Sequence, residues 1–240
     1  VTQLRVRSDV VIACPSFHRA GKVKSFGVFD AKDMVLVVHE EQLDEYRAAY
    51  PDVKLDPHPA ELNGLSLVRQ WMYDKYGDVF MVDDDVPHMF DYRDRATKVP
   101  PDQARDVVYR LHDMAEEMGA YLYGCSEERN PLRYQPHRPF RLTGVVRGRA
   151  MGLRPGAKFF FPQDRSVDDE MCLSGLNAYF HRFVVVDERY AMPGDEYTPG
   201  GLAFRRSHDT LLDWVEKLKV MFGDAITSQE LGDAKMKVPW

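Results

Sequence analysis

Three short runs in the first ninety residues are apolar without a break: Val10-Val11-Ile12-Ala13-Cys14, Met34-Val35-Leu36-Val37-Val38 and Val79-Phe80-Met81-Val82. They are too short for helices, and β-branched residues dominate the first two. A strand without polar alternation must be buried on both faces, which a parallel sheet covered by helices provides. The intervening segments supply those helices. Residues 40–50 read as a helix ended by Pro51, and residues 23–29 as a short helix. Leu65, Val68, Trp71, Met72 and Tyr76 share one helical stripe, with Gly77 as its stop signal. Pro15 reads as the close of the first strand. This half is expected to be a doubly wound, Rossmann-like α/β unit.

The second half is more mixed. Pro100-Pro101-Asp102 opens a helix whose Val107, Val108, Leu111, Ala115 and Met118 share a face. Residues 120–124, 140–146 and 183–186 read as strands, the second alternating as an antiparallel strand does. A helix is expected from Asp168, burying Cys172, Leu173, Leu176 and Phe180. Gly200-Gly201 bends the chain before the apolar residues 202–204. A last helix over 208–222 buries Leu211, Trp214, Val215, Leu218 and Met221, and a loose polar tail follows Thr227. No linker separates the halves, so one domain is expected over 1–226, with halves at 1–90 and 91–226 and a tail at 227–240.

Composition narrows the class. A chain of 240 residues, 44% apolar and 12% aromatic, can build a sizeable core, which excludes disorder and a disulfide-stapled miniature. No stretch approaches the roughly 18 apolar residues of a membrane span, and no charged-then-apolar leader opens the sequence. Cys14, Cys125 and Cys172 are far apart and form no metal-ligand spacing, so they read as reduced thiols of a cytoplasmic protein. Net charge is −6, yet residues 129–165 carry eight arginines and one lysine against a single acid, Asp164. Either that segment meets a polyanion, or its arginines pair with acids elsewhere in the chain.

The sharpest chemical feature is Asp83-Asp84-Asp85 at the end of the Val79–Val82 run. In extended backbone Asp83 and Asp85 share one side and Asp84 takes the other. The carboxyl end of a parallel strand is where open α/β sheets bind ligands. Three adjacent carboxylates with no basic neighbour but His88 need a positive partner, and Mg²⁺ or Mn²⁺ bridging to a diphosphate meets that need. The alternative is an acidic turn solvated by water. No phosphate-binding glycine fingerprint follows the first strand. Ser16, Arg19 and Lys22 are instead the candidates there for a nucleotide, with Asn63 and Arg69 for its diphosphate. His39 and Glu40 suit a ribose or base, or a helix cap. Asp168, Asp169 and Glu170 open an apolar helix. They serve either as first-turn acids favoured by the helix dipole or as a general base for a hydroxyl.

A strand–helix–strand half ending in D-x-D, followed some eighty residues on by an acidic pair opening a helix, resembles GT-A fold glycosyltransferases. Within that fold the chain is most similar to the glycosyltransferases found beside TET/JBP-type hydroxylases in bacteriophages. The similarity lies in V-I-A-C-P-S-F, L-S-L-V-R-Q-W, F-M-V-D-D-D-V and D-D-E-M-C-L. The resemblance implies a GT-A-like nucleotide-sugar half fused to a mixed-sheet acceptor half. It also implies Asp83 and Asp85 on the metal, Asp84 beside the donor, and a UDP-sugar as that donor. Asp169 best matches the catalytic acid, with Asp168 where the family has Glu. The implied acceptor is a 5-hydroxymethylpyrimidine in DNA, in the host cytoplasm, with Arg133, Arg138, Arg147 and Arg149 on the acceptor and Lys158 a further cation for it or the diphosphate. Tyr134, His137 and Phe140 could stack on bases or be core aromatics. Three rivals remain. One is the same fold acting on a glycan, lipid or protein hydroxyl; another is a nucleotidyltransferase, for which Ser16 to Lys22 is a poor loop; the third is a non-catalytic binding module.

Overall fold

The unbroken apolar runs become the middle of a ten-stranded sheet among the described residues. The computed structural model describes residues 10–159, 161, 169–195, 208–228 and 234–236. β1 (Val11–Ser16), β2 (Val35–His39), β3 (Lys54–His58) and β4 (Val79–Val82) lie in the order β3-β2-β1-β4, all parallel. Because side chains alternate along a strand, each run is divided between two cores. Ile12, Cys14, Leu36, Val38, Phe80 and Val82 pack with Tyr46 of α1 (Leu43–Ala49) and with Val107, Val108 and Leu111 of α3 (Pro101–Met118). Ala13, Val35, Val37, Val79 and Met81 pack with Val68 and Met72 of α2 (Leu65–Tyr76) and Leu173 of α4 (Asp169–Phe180).

The other half of the sheet is mixed. β9 (Ala150–Leu153) lies beside β4 and antiparallel to it. β7 (Leu122–Ser126) is antiparallel to β9, and β10 (Val185–Ala191) is parallel to β7. β8 (Phe140–Arg141) and β5 (Phe90–Asp91) pair antiparallel with β10, and β6 (Thr97–Lys98) continues the edge. The carboxyl ends of β1, β2, β4, β7 and β10 therefore share one edge. The reversed β9 brings its amino-terminal flank, Arg147-Gly148-Arg149, to that same edge. The outcome is the single-domain α/β architecture expected, with a parallel half and a mixed half. No helix among the described residues is long and apolar enough to cross a membrane.

Several local expectations are corrected. Pro15 does not close β1 but lies inside it, opposite Val37 and beyond the last pair with β4. There β1 has one neighbour, where a residue without an N–H is tolerated. Residues 23–29 form only a 3-10 turn, Ser25–Gly27. The polar β3 escapes the apolar pattern because it is an edge strand. The predicted strand over 140–146 shrinks to β8, and β9 takes the central place instead. β9 hides its pattern because a Cβ on Gly152 would overlap the ring of Tyr123. Met118, Phe180 and Met221 are exposed, each at or next to the last residue of its helix. α5 (His208–Phe222) buries Val215 and Leu218 against Met171 and Cys172. β11 (Ile226–Ser228) and β12 (Ala234–Met236) pair antiparallel, so residues 234–236 of the expected tail form a strand; residues 229–233 and 237–240 lie outside the described residues. Residues 200–204, Asp168 and the side chains of Leu211 and Trp214 lie outside the described residues.

Candidate functional site

β1 and β4 are adjacent, yet the chain leaves β1 towards β2 on one side and returns to β4 on the other. Such a switch in winding direction opens a crevice at the carboxyl ends of the two strands. Asp83, Asp84 and Asp85 stand there, just past the end of β4. Their side chains do not simply alternate, because the chain turns at Asp84. Asp84 is buried against the β1 loop, where Ser16 Oγ donates to it at 2.7 Å and Arg19 forms an ion pair with it. Burial nonetheless prevails over both partners and pushes its carboxyl up to about 6. Asp83 accepts a 2.7 Å bond from Arg69, whose guanidinium also donates to the Gly148 carbonyl at 3.1 Å. The fit is tight: a Cβ on Gly148 would fall on that guanidinium.

The positive partners missing from the local sequence are thus arginines from β1's loop and α2. Asp85 is served least. Arg19 approaches it at 3.7 Å, and its Oδ1 is buried with no hydrogen bond. Burial and the neighbouring Asp83 charge push its carboxyl up. A buried carboxylate oxygen without a donor is a position that a cation can fill. Among the described residues no three His, Cys, Asp or Glu side chains converge. A divalent ion here would accordingly take one or two of these carboxylates and complete its shell with phosphate oxygens and water.

The mixed half closes the other side with residues that the sequence reading missed. Glu127 follows β7 and bridges two arginines, Arg147 at 3.0 Å and Arg149 at 3.3 Å. Arg149 acts electrostatically on Asp85, and Arg147 reaches Glu170 in the first turn of α4 at 3.5 Å. The two acidic clusters are therefore linked through Arg149, Glu127 and Arg147. Beyond β10, the Asp195 N–H donates to the Asp85 carbonyl at 3.0 Å, and Lys24 pairs with the Asp195 side chain at 2.5 Å. On the mixed-half side of this network lies a cavity of about 520 Å³, with Glu127, Arg129, Arg141, Arg147, Arg149 and Glu188 in its lining but none of the three aspartates. Glu127 had a readable signal, since it directly follows an apolar strand as the aspartates do. Nothing local marks Asp195.

The remaining candidates disperse. His39 is itself the cap expected of Glu40: its Nδ1 accepts from the Glu41 N–H, and Glu40 accepts from the Ala60 N–H at 3.1 Å. Lys22 and Asn63 are exposed. Arg69 is a buried clamp rather than an exposed contact, with 1% of its side chain exposed. Ser16 already serves Asp84 and Tyr46. Arg133, Arg141, Arg147, Arg149 and Arg154 face the protein's own Glu128, Glu188, Glu127, Glu170 and Glu116, which is the pairing alternative for the cationic segment. Arg138 is exposed with no side-chain partner among the described residues. Phe140 sits beneath the Arg189 guanidinium. Lys158 lies past the carboxyl end of β9, at the opposite edge, where its N–H meets His181. Asp169 begins α4, but its side chain, like Asp168, lies outside the described residues.

No protein-family model matches the chain, and no curated protein matches it. Among solved structures, it is similar to a CMP:2-keto-3-deoxy-manno-octonic acid synthetase complexed with CTP, at 11% identity and a TM-score of 0.43, over 89% of this chain and 99% of that one. It is also similar to 4-diphosphocytidyl-2C-methyl-D-erythritol synthase from Anaerococcus prevotii, at 8% identity and a TM-score of 0.37, over 87% and 96%.

Proposed function

We propose that the protein is a metal-dependent glycosyltransferase that moves a sugar from a nucleotide-sugar, a UDP-sugar by resemblance, to a hydroxyl acceptor. One observation carries the reading: the buried, donor-less Oδ1 of Asp85 beside Asp83, at the switch point between β1 and β4. In this reading Asp83 and Asp85 hold Mn²⁺ or Mg²⁺, which as a Lewis acid stabilises charge on the departing diphosphate. Arg19 and Arg149, which both act on Asp85, add charge there, and Lys22, exposed in the loop after β1, is a further cation for the diphosphate. Asp84 holds Arg19 and Ser16 in place. Asp169, or Asp168 beside it, takes the acceptor proton, with α4 tied to the cavity through Glu170 and Arg147. Displacement from the opposite face inverts the anomeric centre.

The acceptor proposed is a 5-hydroxymethylpyrimidine in DNA. The exposed Arg133 and Arg138 support it, standing in the loop between β7 and β8. A base must leave the duplex before its hydroxyl can reach the cavity. Incubation with Mn²⁺ and a panel of nucleotide sugars, with and without hydroxymethylated DNA, tests the whole reading. Asp85→Ala is expected to abolish metal-dependent turnover, and Asp169→Asn to stop transfer while leaving donor binding intact. Near wild-type rates in both variants, or no binding of Mn²⁺ with UDP by calorimetry, overturn it. DNA affinity that does not fall with added salt removes the acceptor assignment.

A further inference from the structure

A second cavity, of about 500 Å³, lies between the β5–β6 hairpin, α3 and β10, and four cations line it: Arg93, Lys98, Arg110 and Arg189. Two of them are locked in place. The buried Asp187 takes Nε and Nη2 of Arg189 at 2.9 and 2.8 Å, and Asp91 takes the same atoms of Arg93 at 3.0 and 2.6 Å. Both guanidinium groups also lie over the Tyr190 ring, at 5.9 and 5.0 Å from its centroid. In neither arginine does Nη1 bond to any described residue. The other two cations lack a counter-charge. Among the described residues Lys98 Nζ meets His88 Nε2, at 2.8 Å, and no carboxylate. Arg110 is exposed and has no partner among the described residues. Against them the lining offers one carboxylate without a partner, Asp94.

Charges on an edge strand guard it against pairing with other chains. That accounts for Lys98, but not for Arg110 on α3 or for two fixed guanidinium groups with spare donors. The backbone adds to the case. The five-residue turn between β5 and β6 holds Arg95 and Ala96 at φ 50° and 57°, in the left-handed region that residues with a Cβ seldom adopt. The strained turn places a further cation at the hairpin tip.

We propose that this cavity is a phosphate-binding site. A phosphate ester offers several anionic oxygens to donors fixed in forks, with Nη1 of Arg93 and Arg189 donating while Lys98 and Arg110 supply charge. The phosphate comes either from a free phosphorylated compound or from a nucleic-acid backbone. The site shares no residue with the proposed donor site. The test is a titration of the full chain with pyrophosphate, and separately with a single-stranded oligothymidylate. The arginine Nε–H resonances are followed by NMR, those of Arg93 and Arg189 being assigned with Arg→Lys variants. Both signals are expected to shift saturably, and the double variant Lys98→Ala/Arg110→Ala to bind roughly tenfold more weakly with unchanged thermal melting. Response to oligothymidylate at lower concentration than pyrophosphate identifies the backbone as the source, and the reverse order a free compound. No saturable shift with either probe, or an unaltered titration in the double variant, overturns the proposal. Asp85→Ala, which disables the proposed donor site, leaves these signals unmoved, so failure of one reading is separable from failure of the other.

Discussion

Arginines meet acids on both sides of the candidate site, but in two different settings. At the ends of β1 and β4, Arg69 and Arg19 are 1% and 6% exposed and their carboxylates are largely enclosed. In the mixed half, Arg147 just before β9 and Arg141 in β8 are 43% and 37% exposed, and Arg133 in the loop between β7 and β8 is 73% exposed. The same chemical pair does different work in the two places. Breaking a buried pair strands a charge away from water, whereas an exposed pair can exchange its partner for solvent or ligand. The parallel half thus holds its acids rigidly, while the mixed half presents arginines that a ligand can recruit.

The largest test of that contrast is Arg69→Ala. It leaves Asp83 and the Gly148 carbonyl without their donor and is expected to destabilise the fold by about 3–5 kcal/mol in urea denaturation. A cost near that of an exposed pair breaks the comparison. Next comes pH. The Asp84 carboxyl rises from 3.8 to about 6 on folding, so between those values the folded chain binds more protons than the unfolded one. Its contribution is favourable at low pH and is lost as pH climbs through about 6, a change on the order of 2–3 kcal/mol. Stability curves of the metal-free protein are expected to show this fall in the wild type and its loss in Asp84→Asn. The smallest effect is that of Arg133→Ala, which is expected to change stability by less than about 1 kcal/mol. A larger loss would place Arg133 with the buried set.

Much of this was readable in advance. The unbroken runs identified β1, β2 and β4 because burial on both faces leaves a pattern within five residues. The Pro100-Pro101 start of α3 was equally local; Gly119, which the sequence reading did not single out, ends the helix at φ 72°. β3 and β9 were not readable. The first is a polar edge strand, and the second carries Gly152 because Tyr123 from another strand occupies its face. The acidic triplet announced a need for positive charge without naming its source. Arg19 and Arg69 look like ordinary loop and helix cations until the chain folds back on them. Glu127 could have been found by applying to β7 the reasoning applied to β4.

Sequence alone determined which segments must be buried strands and that one of them ends in three carboxylates, since hydrophobic periodicity and adjacency are properties of a few neighbouring residues. Tertiary structure alone decided what those carboxylates face. Charge compensation joins residues far apart in the chain, and the reversal of β9 that delivers Arg149 to Asp85 depends on strand order, which no local pattern records.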